Sequence, residues 1–462
     1  MRNSIFIVLI VWGALISNCT LQEEDITPDP QAMLSFSVDT LFFDTLFTDT
    51  ISLTRRFRVF NPQKNAVNVS SIDLQEGLSS SFSLTINGIQ AESFQDQIIL
   101  GEDSLLVLVT ATIPSRGENI PFLVEDAVQF LTNGNLQQVN LVAWGQEANF
   151  FRSDSVLLCN TVWTSDKPYV LYGSVLVDSL CTLTIEAGTE VFVNQNAAIL
   201  VGGTLEITGS AEEPVIIRNV RLDIEDAPGQ WIGIIFLQGS KHNNLQHTVI
   251  RNAEFGLRIG TPDSDTIPDL ILGNSVVENM STFGILAFTS DVMAYNTVVD
   301  NCVDFGIAHF AGGYYQYQHC TIGNYSIGQF SEQPAAIFTD NLTLSDGSEL
   351  VEDLYVRIQN SIIWGDHQDS EELILDTAGG ALSDIFMQNL MLRSSNSLFD
   401  INNNILSTDP DFPAFIDPFN FDYRLDTLSP AKDKGIDLMI NRDILGNDRD
   451  TQPDLGAYER IE

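Results

Sequence analysis

His247-Thr248-Val249-Ile250-Arg251-Asn252, Asn274-Ser275-Val276-Val277-Glu278-Asn279 and Asn296-Thr297-Val298-Val299-Asp300-Asn301 are three copies of one phrase. His319-Cys320-Thr321-Ile322-Gly323-Asn324 follows the same pattern, and Asn360-Ser361-Ile362-Ile363-Trp364 is a shortened fifth copy. Asn252, Asn279, Asn301 and Asn324 recur at intervals of 27, 22 and 23 residues, which is the length of one turn of a β solenoid. Three copies run on into a Phe-Gly step and a second short apolar strand: Phe255-Gly256-Leu257, Phe283-Gly284-Ile285 and Phe305-Gly306-Ile307. Each turn of chain returns the same residue type to the same place.

One turn has too little apolar surface to fold alone, so turns must stack, at about 4.8 Å, to make a core. On a period of two, Thr248, Ser275, Thr297, Cys320 and Ser361 face inward, as do Ile250, Val277, Val299, Ile322 and Ile363. Asn252, Asn279, Asn301 and Asn324 continue that face at a corner, where an amide can bond bent backbone and the next amide in the stack. Gly256, Gly284 and Gly306 stand where a Cβ would crowd the turn. The outward set Val249, Val276, Val298, Thr321 and Ile362 is also apolar, which calls for a covering loop or tail.

Upstream of residue 246, strands of three to five residues alternate with glycine-containing turns, as in Leu183-Thr184-Ile185-Glu186-Ala187-Gly188 and Leu200-Val201-Gly202-Gly203-Thr204-Leu205. Helical periodicity is absent, and the β-helix is expected over residues 157–420. Residues 33–150 use longer alternating strands, such as Phe57-Arg58-Val59-Phe60 and Leu105-Leu106-Val107-Leu108-Val109, with Asn-Gly and Pro turns between them. That pattern predicts an antiparallel sandwich. The expected fold is all-β: an N-terminal β-sandwich, a right-handed parallel β-helix, and a closing segment over residues 421–462.

Sixty-two acidic against 21 basic residues give a net charge of -41. Such a surface repels nucleic acid backbones and anionic lipid headgroups, so neither is expected as a main partner, and a polyanionic substrate would meet the same unfavourable field. The acidity is read as solubility outside the cell, with Ca²⁺ binding as the alternative. Residues 1–18 carry Arg2 ahead of the apolar run Ile5–Trp12, too short to span a bilayer and placed as an export signal. Residues 19–32 are polar and contain two prolines, which reads as a tether. The spacings of Cys159, Cys181, Cys302 and Cys320 match no metal pattern. Cys302 and Cys320 are read as buried small residues, and Cys159 with Cys181 as a pair that can bridge near the domain junction.

Leu15-Ile16-Ser17-Asn18-Cys19 resembles a bacterial lipoprotein signal, with Asn18 where Gly or Ala is usual, and the following Gln22-Glu23-Glu24-Asp25 resembles the acidic tract of surface-exposed Bacteroidetes lipoproteins. That resemblance implies a lipidated Cys19, outer-membrane localisation at the cell surface and membrane attachment through Cys19 alone. Residues 33–148 resemble immunoglobulin-like modules that precede repeat domains in bacterial surface proteins. Residues 165–400 resemble right-handed parallel β-helix repeats. Asp443-Ile444-Leu445-Gly446-Asn447-Asp448-Arg449 through Asp454-Leu455-Gly456-Ala457-Tyr458-Glu459 is similar to the closing segment of extracellular bacterial members. Its expected place is over the otherwise open last coil.

The β-helix family includes polysaccharide lyases and glycoside hydrolases, and a glycosidase needs two carboxylates on one groove. Asp223, Glu225, Asp226, Asp263, Asp265, Asp269, Asp291 and Asp304 are candidates, but so many acids coincide by chance. Glu278 and Asp300 are the best pair, at the outward position of adjacent turns and so about 5 Å apart. Their commonest reading is solvated surface. A lyase needs a base and a charge partner, for which Arg251, Arg258, His309 and His319 qualify, although His247 and His319 stand where Asn274 and Asn296 stand in the structural stack. Tyr314, Tyr315 and Tyr317, in a loop opened by Gly312-Gly313, can stack on sugar rings or simply pack. The leading expectation is a surface-tethered, non-catalytic structural or interaction protein for neutral glycan or an envelope protein. The alternative is a β-helix carbohydrate-active enzyme using Glu278, Asp300 and His309.

Overall fold

A computed structural model of the chain describes residues 25–461 apart from 118, 222–226, 261–266, 326–332 and 368. The expected signal, Cys19, and the acids Asp223, Glu225, Asp226, Asp263 and Asp265 lie outside the described residues. The chain is all-β and divides into two compact units at Glu147 and Ala148.

In the first unit, alternation of apolar and polar residues builds two five-stranded sheets over one core. One sheet orders Ser35–Phe36, Arg55–Phe60, Ser104–Ala111, Phe82–Ile86 and Ile89–Ala91. The other orders Thr40–Phe47, Asn135–Gln146, Phe122–Thr132, Val67–Leu74 and Ser93–Ile99, with the first pair parallel. Phe57, Val59, Leu84, Val107, Val128, Phe130 and Leu141 fill the space between them. The polar stretch read as tether is shorter than residues 19–32. Ile26 bridges Ala66, Asn133 Nδ2 donates to the carbonyls of Thr27 and Asp29, both at 3.0 Å, and Ala32 is buried. Those residues are strapped to the sandwich by backbone pairing, which composition does not show.

The second unit is the parallel β-helix. Its first ladder stacks eleven strands, from Asn149–Phe151 and Tyr169–Leu171 through Thr248–Arg251, Val276–Met280, Val298–Cys302, Thr321–Asn324 and Ile362–Gly365 to Met391–Arg393 and Ile405–Ser407. The first rung therefore starts at residue 149 rather than 157. The second ladder carries the strands after the Phe-Gly step, such as Leu257–Ile259 and Ala336–Thr339. The third carries Asn243–Gln246, Leu270–Gly273, Leu354–Gln359 and Ser383–Gln388. Ile285–Tyr295 and Ile307–Gln318 are single long strands that serve both, with a register shift between Phe288 and Ser290. Gly312-Gly313 is thus a bulge inside a strand, not a loop. The lumen is filled by the inward set of the repeat, and the Cys159–Cys181 disulfide closes its N-terminal part.

Gly256, Gly284 and Gly306 are required by crowding: a Cβ on Gly284 would sit 2.4 Å from Val299 Cγ1 and 2.5 Å from the Gly306 carbonyl. The closing segment does not cap the last coil. It runs along the flank of the first ladder, where Tyr423, Leu425, Ala431, Ile444, Leu455 and Ala457 pack on Val298, Ile362, Trp364 and Met391. The apolar outward positions of the repeat are apolar because they are covered.

Candidate functional site

Two places collect the functional candidates, one beneath the closing segment and one on the open face of the third ladder. In the first, Arg251, Glu278, Asp300 and Gly323 follow one another in register at an outward position of successive rungs. Glu278 and Asp300 are 6% and 1% exposed, so neither lies on a solvated surface or an open groove. The period of the repeat gave their face correctly, but the tail lies on that face. Arg251 forms an ion pair with Glu278. Neither carboxyl oxygen of Asp300 has a hydrogen-bond partner, and neither has the Tyr423 hydroxyl. Tyr423 occupies the room left by Gly323, where a Cβ would meet its ring at 2.3 Å. Burial first, and then the Glu278 carboxylate, holds the Asp300 carboxyl well above the usual carboxylate range, against the opposing pull of Arg251. The Tyr423 phenol is also pushed up, by burial and then by Asp300. Burial and Glu278 thus favour the protonated form of Asp300, which sits where a polymer has no access.

His309, Tyr315 and Tyr317, named as catalytic or glycan-stacking candidates, are inside the lumen at 0%, 0% and 1% exposure. His309 Nε2 and the Tyr317 hydroxyl are 2.7 Å apart, and the imidazole stacks on the Tyr315 ring at 4.0 Å. The Tyr315 hydroxyl donates to the Gly312 carbonyl at 2.8 Å. Burial lowers the His309 pKa to about 3, so the ring is a neutral core group without reach to substrate. His319 is likewise buried, lowered to about 3 by burial and then by Arg449, and its Nε2 accepts from Asn360 Nδ2 at 2.9 Å. Arg258 is exposed.

The open face lies on the third ladder. Asp291, Tyr314, Tyr355 and Asp384 share one register column; Met293, Gln316, Arg357 and Phe386 share the next; Tyr295, Gln318, Gln359 and Gln388 share a third. All are at least partly exposed. The columns are ordered by side chains that bond along the stack. Tyr295 donates its hydroxyl to Gln246 Oε1 at 2.7 Å, and Gln359 Nε2 donates to Gln388 Oε1 at 3.1 Å. Tyr295 lies over Gly273, where a Cβ would meet its ring at 2.4 Å. The Tyr314 and Tyr355 rings are 6.3 Å apart, and Arg357 pairs with Asp384 at 3.4 Å while lying over Phe386. Of the three tyrosines singled out in the sequence, Tyr314 alone belongs to this face.

Tyr355, Arg357, Phe386 and the glutamines escape a search for repeats because the chain between Gln318 and Gln359 contains an inserted hairpin, Asn341–Thr343 with Glu349–Val351. A signal was nevertheless available. Gln246-His247, Gln318-His319, Gln359-Asn360 and Gln388-Asn389 repeat one dipeptide at one place in the coil. Among the described residues no group of three or more His, Cys, Asp or Glu side chains is arranged to hold a metal ion.

Residues 155–266 match the family described as a pectate-lyase like beta helix domain. No curated protein matches the chain. Among solved structures, pectate lyase Pel9A is 15% identical over 68% of this chain and 88% of its own, with a TM-score of 0.26. A protein of unknown function from Porphyromonas gingivalis W83 is 9% identical over 28% of this chain, with a TM-score of 0.19, and the match spans 50% of that protein's length. A PapD-like domain of human CEP192 is 11% identical over 28% of this chain and 95% of its own, at 0.18. The stacked ladders give a parallel β-helix as the fold of the second unit, and residues 155–266 of it are similar to the pectate-lyase like beta helix domain.

Proposed function

We propose that this chain is a surface-tethered, non-catalytic β-helix protein, anchored to the outer membrane through Cys19, that binds neutral glycan on the open face of the third ladder. The observation that carries the reading is the columnar set Tyr314, Tyr355, Gln316, Gln359 and Phe386. Partly exposed rings and amides held in register offer stacking faces and hydrogen-bond groups to an uncharged, hydroxyl-rich polymer at little ordering cost. A net charge of -41 disfavours uronate polymers. The catalytic alternative has a weaker footing. Its acid pair, Glu278 and Asp300, is covered. The two carboxylates in the tyrosine column, Asp291 and Asp384, are three rungs apart, roughly 14 Å, against the roughly 5–9.5 Å that paired glycosidase carboxylates need. An envelope protein is the other partner that such a face suits.

The test is binding of the purified chain to an array of neutral and acidic glycans, read alongside release of reducing or unsaturated ends. Binding to neutral glycan without turnover is expected, weakened roughly fivefold or more in Tyr314→Ala with Tyr355→Ala, since a stacked ring contributes about 1 kcal/mol. Turnover, or binding indifferent to both tyrosines, would reject the reading.

A further inference from the structure

The two faces of the N-terminal sandwich differ in charge. From the sheet built on Thr40–Phe47 and Asn135–Gln146 project Asp44, Asp73 and Glu125, in keeping with a chain that has 62 acidic residues. From the opposite sheet no carboxylate projects among the described residues. Its central strands present Arg56, Arg58 and Phe60 beside Leu106 and Leu108, paired Arg56 to Leu108 and Arg58 to Leu106, and its other outward positions are Ser, Thr and Gln. Arg56 and Arg58 are exposed, and Phe60 and Leu106 each keep 37% of their surface in solvent. Two hollows of about 260 and 650 Å³ flank Arg56, and the larger is also lined by Arg55. Arg55, at the edge of this face, pairs with Asp44 of the other sheet at 2.5 Å, so Arg56 and Arg58 are the cations that project from the side on which the strands carry no acid.

We propose that this face seats the N-terminal unit on an anionic phospholipid surface, with Arg56 and Arg58 on headgroup phosphates and Phe60, Leu106 and Leu108 against the interfacial apolar layer. The proposal rests on the lipid-anchor reading only for the tether that keeps the face near a bilayer. Guanidinium groups match phosphate geometry, and the apolar residues between them gain from leaving water. The chain enters the sandwich at the end of this face: Ile26 bridges Ala66, and Asn61, next to Phe60, donates its Nδ2 to the Asn65 carbonyl at 2.9 Å. Residues 19–25 can reach at most about 25 Å, so an anchor at Cys19 would hold the sandwich against the bilayer. Two packed sheets lie about 10 Å apart, so the outward acids of the far sheet, apart from Asp44 at its edge, stand beyond a Debye length of about 8 Å from this face.

The experiment uses the chain from residue 19 onward carrying Cys19→Ala, so that no lipid contributes, and sediments it with phosphatidylcholine vesicles with or without about 30 mol% phosphatidylglycerol. Sedimentation is expected with the anionic vesicles only, and is expected to disappear at about 0.5 M salt. Arg56→Gln with Arg58→Gln should lower the partition coefficient roughly tenfold. Gln138→Glu with Asn140→Glu changes net charge equally on the opposite sheet and should leave it unchanged; far-UV circular dichroism checks that both variants are folded. Equal losses in the two variants, equal sedimentation with both vesicle types, or none with the anionic ones would overturn the proposal. The intact mass of the wild-type chain from bacterial membranes reads the anchor separately. An unmodified Cys19 together with arginine-dependent binding would remove the anchor and keep the face.

Discussion

Asp300 is a carboxyl group with two acceptor oxygens, 1% exposure and no hydrogen-bond donor for either oxygen. Ionised, it would be a buried charge beside Glu278 with no hydrogen bond and only the opposing pull of Arg251, so the protonated form is favoured. Around it stand Arg251, Glu278, Cys302, Tyr423 and Tyr458, with tail residues forming the lid. Because its value is raised in the folded state, the folded chain binds this proton where the unfolded chain has lost it. Stability from this group is therefore fully present below the ordinary carboxylate range and is lost as pH rises toward the raised value. Asp300→Asn, a neutral isostere, should flatten that fall and raise the denaturation midpoint at neutral pH relative to wild type. Identical pH profiles for wild type and variant would refute the neutral assignment. Sequence placed Glu278 and Asp300 in adjacent rungs correctly, because register follows from a period of two. What covers a face does not follow from period. His309 shares the parity of Ile307 and could have been read as inward. Tyr315 and Tyr317 share that parity too and are inward, whereas Tyr314 and Gln316, on the other parity, are partly exposed.

At the scale of the rung, two corners hold the coil. At one, Asn252 Nδ2 donates to Asn219 Oδ1, Asn279 to Asn252 and Asn301 to Asn279, at 2.7, 2.5 and 2.7 Å. At Asn324 the partners change to the Cys302 amide and the Gln333 carbonyl. Asn252, Asn279 and Asn301 also take positive φ, a conformation that asparagine tolerates better than most residues. At the other corner His247, Asn274, Asn296, His319, Asn360 and Asn389 all have φ between 45° and 52°. This explains why two histidines alternate with asparagines there: both types are enriched in the left-handed region, and no chemistry is needed to place them. Asn279→Leu should therefore destabilise the β-helix by about 1–3 kcal/mol for its amide bonds alone. Asn87→Leu, at a positive-φ turn of the sandwich, should leave the β-helix transition where it is. Unfolding followed by probes specific to each unit checks this, and equal β-helix midpoints in the two variants would contradict the amide ladder. The ladder was legible from the spacing of asparagines. The second corner was legible as polar but not as a turn, since its residue types alone do not report φ.

At the scale of the second unit, the closing segment holds the flank through that second corner. Asn296, Asn360 and Asn389 donate their Nδ2 to the carbonyls of Arg442, Ile436 and Lys434, each at 2.6 Å. Arg449 ties the segment to itself and to the ladder. Its guanidinium donates to Glu459 at 2.9 Å, to Asn296 Oδ1 at 3.0 Å and to the Gly456 and Ala457 carbonyls. The sequence shows this segment as a dense run of Asp, Gly, Asn and Arg, but Arg449 and Asn296 are 153 residues apart and no periodicity links them. That distance is why the tail was expected at the open end and is found along the side. Arg449 and Glu459 have side chains only 2% and 7% exposed, so Arg449→Leu would leave a buried carboxylate without its partner, at a cost of about 3–5 kcal/mol. The β-helix denaturation midpoint should fall accordingly while the sandwich transition stays unchanged. Brief proteolysis should then cut first near residues 430–450, and the phenol of Tyr423, buried in the native chain, should become open to iodination. Arg449→Lys keeps the charge but not the fork of donors, and should fall between the two. If Arg449→Leu melts with the wild type and Tyr423 stays protected, the segment is held by its apolar contacts and the arginine network contributes nothing to its docking.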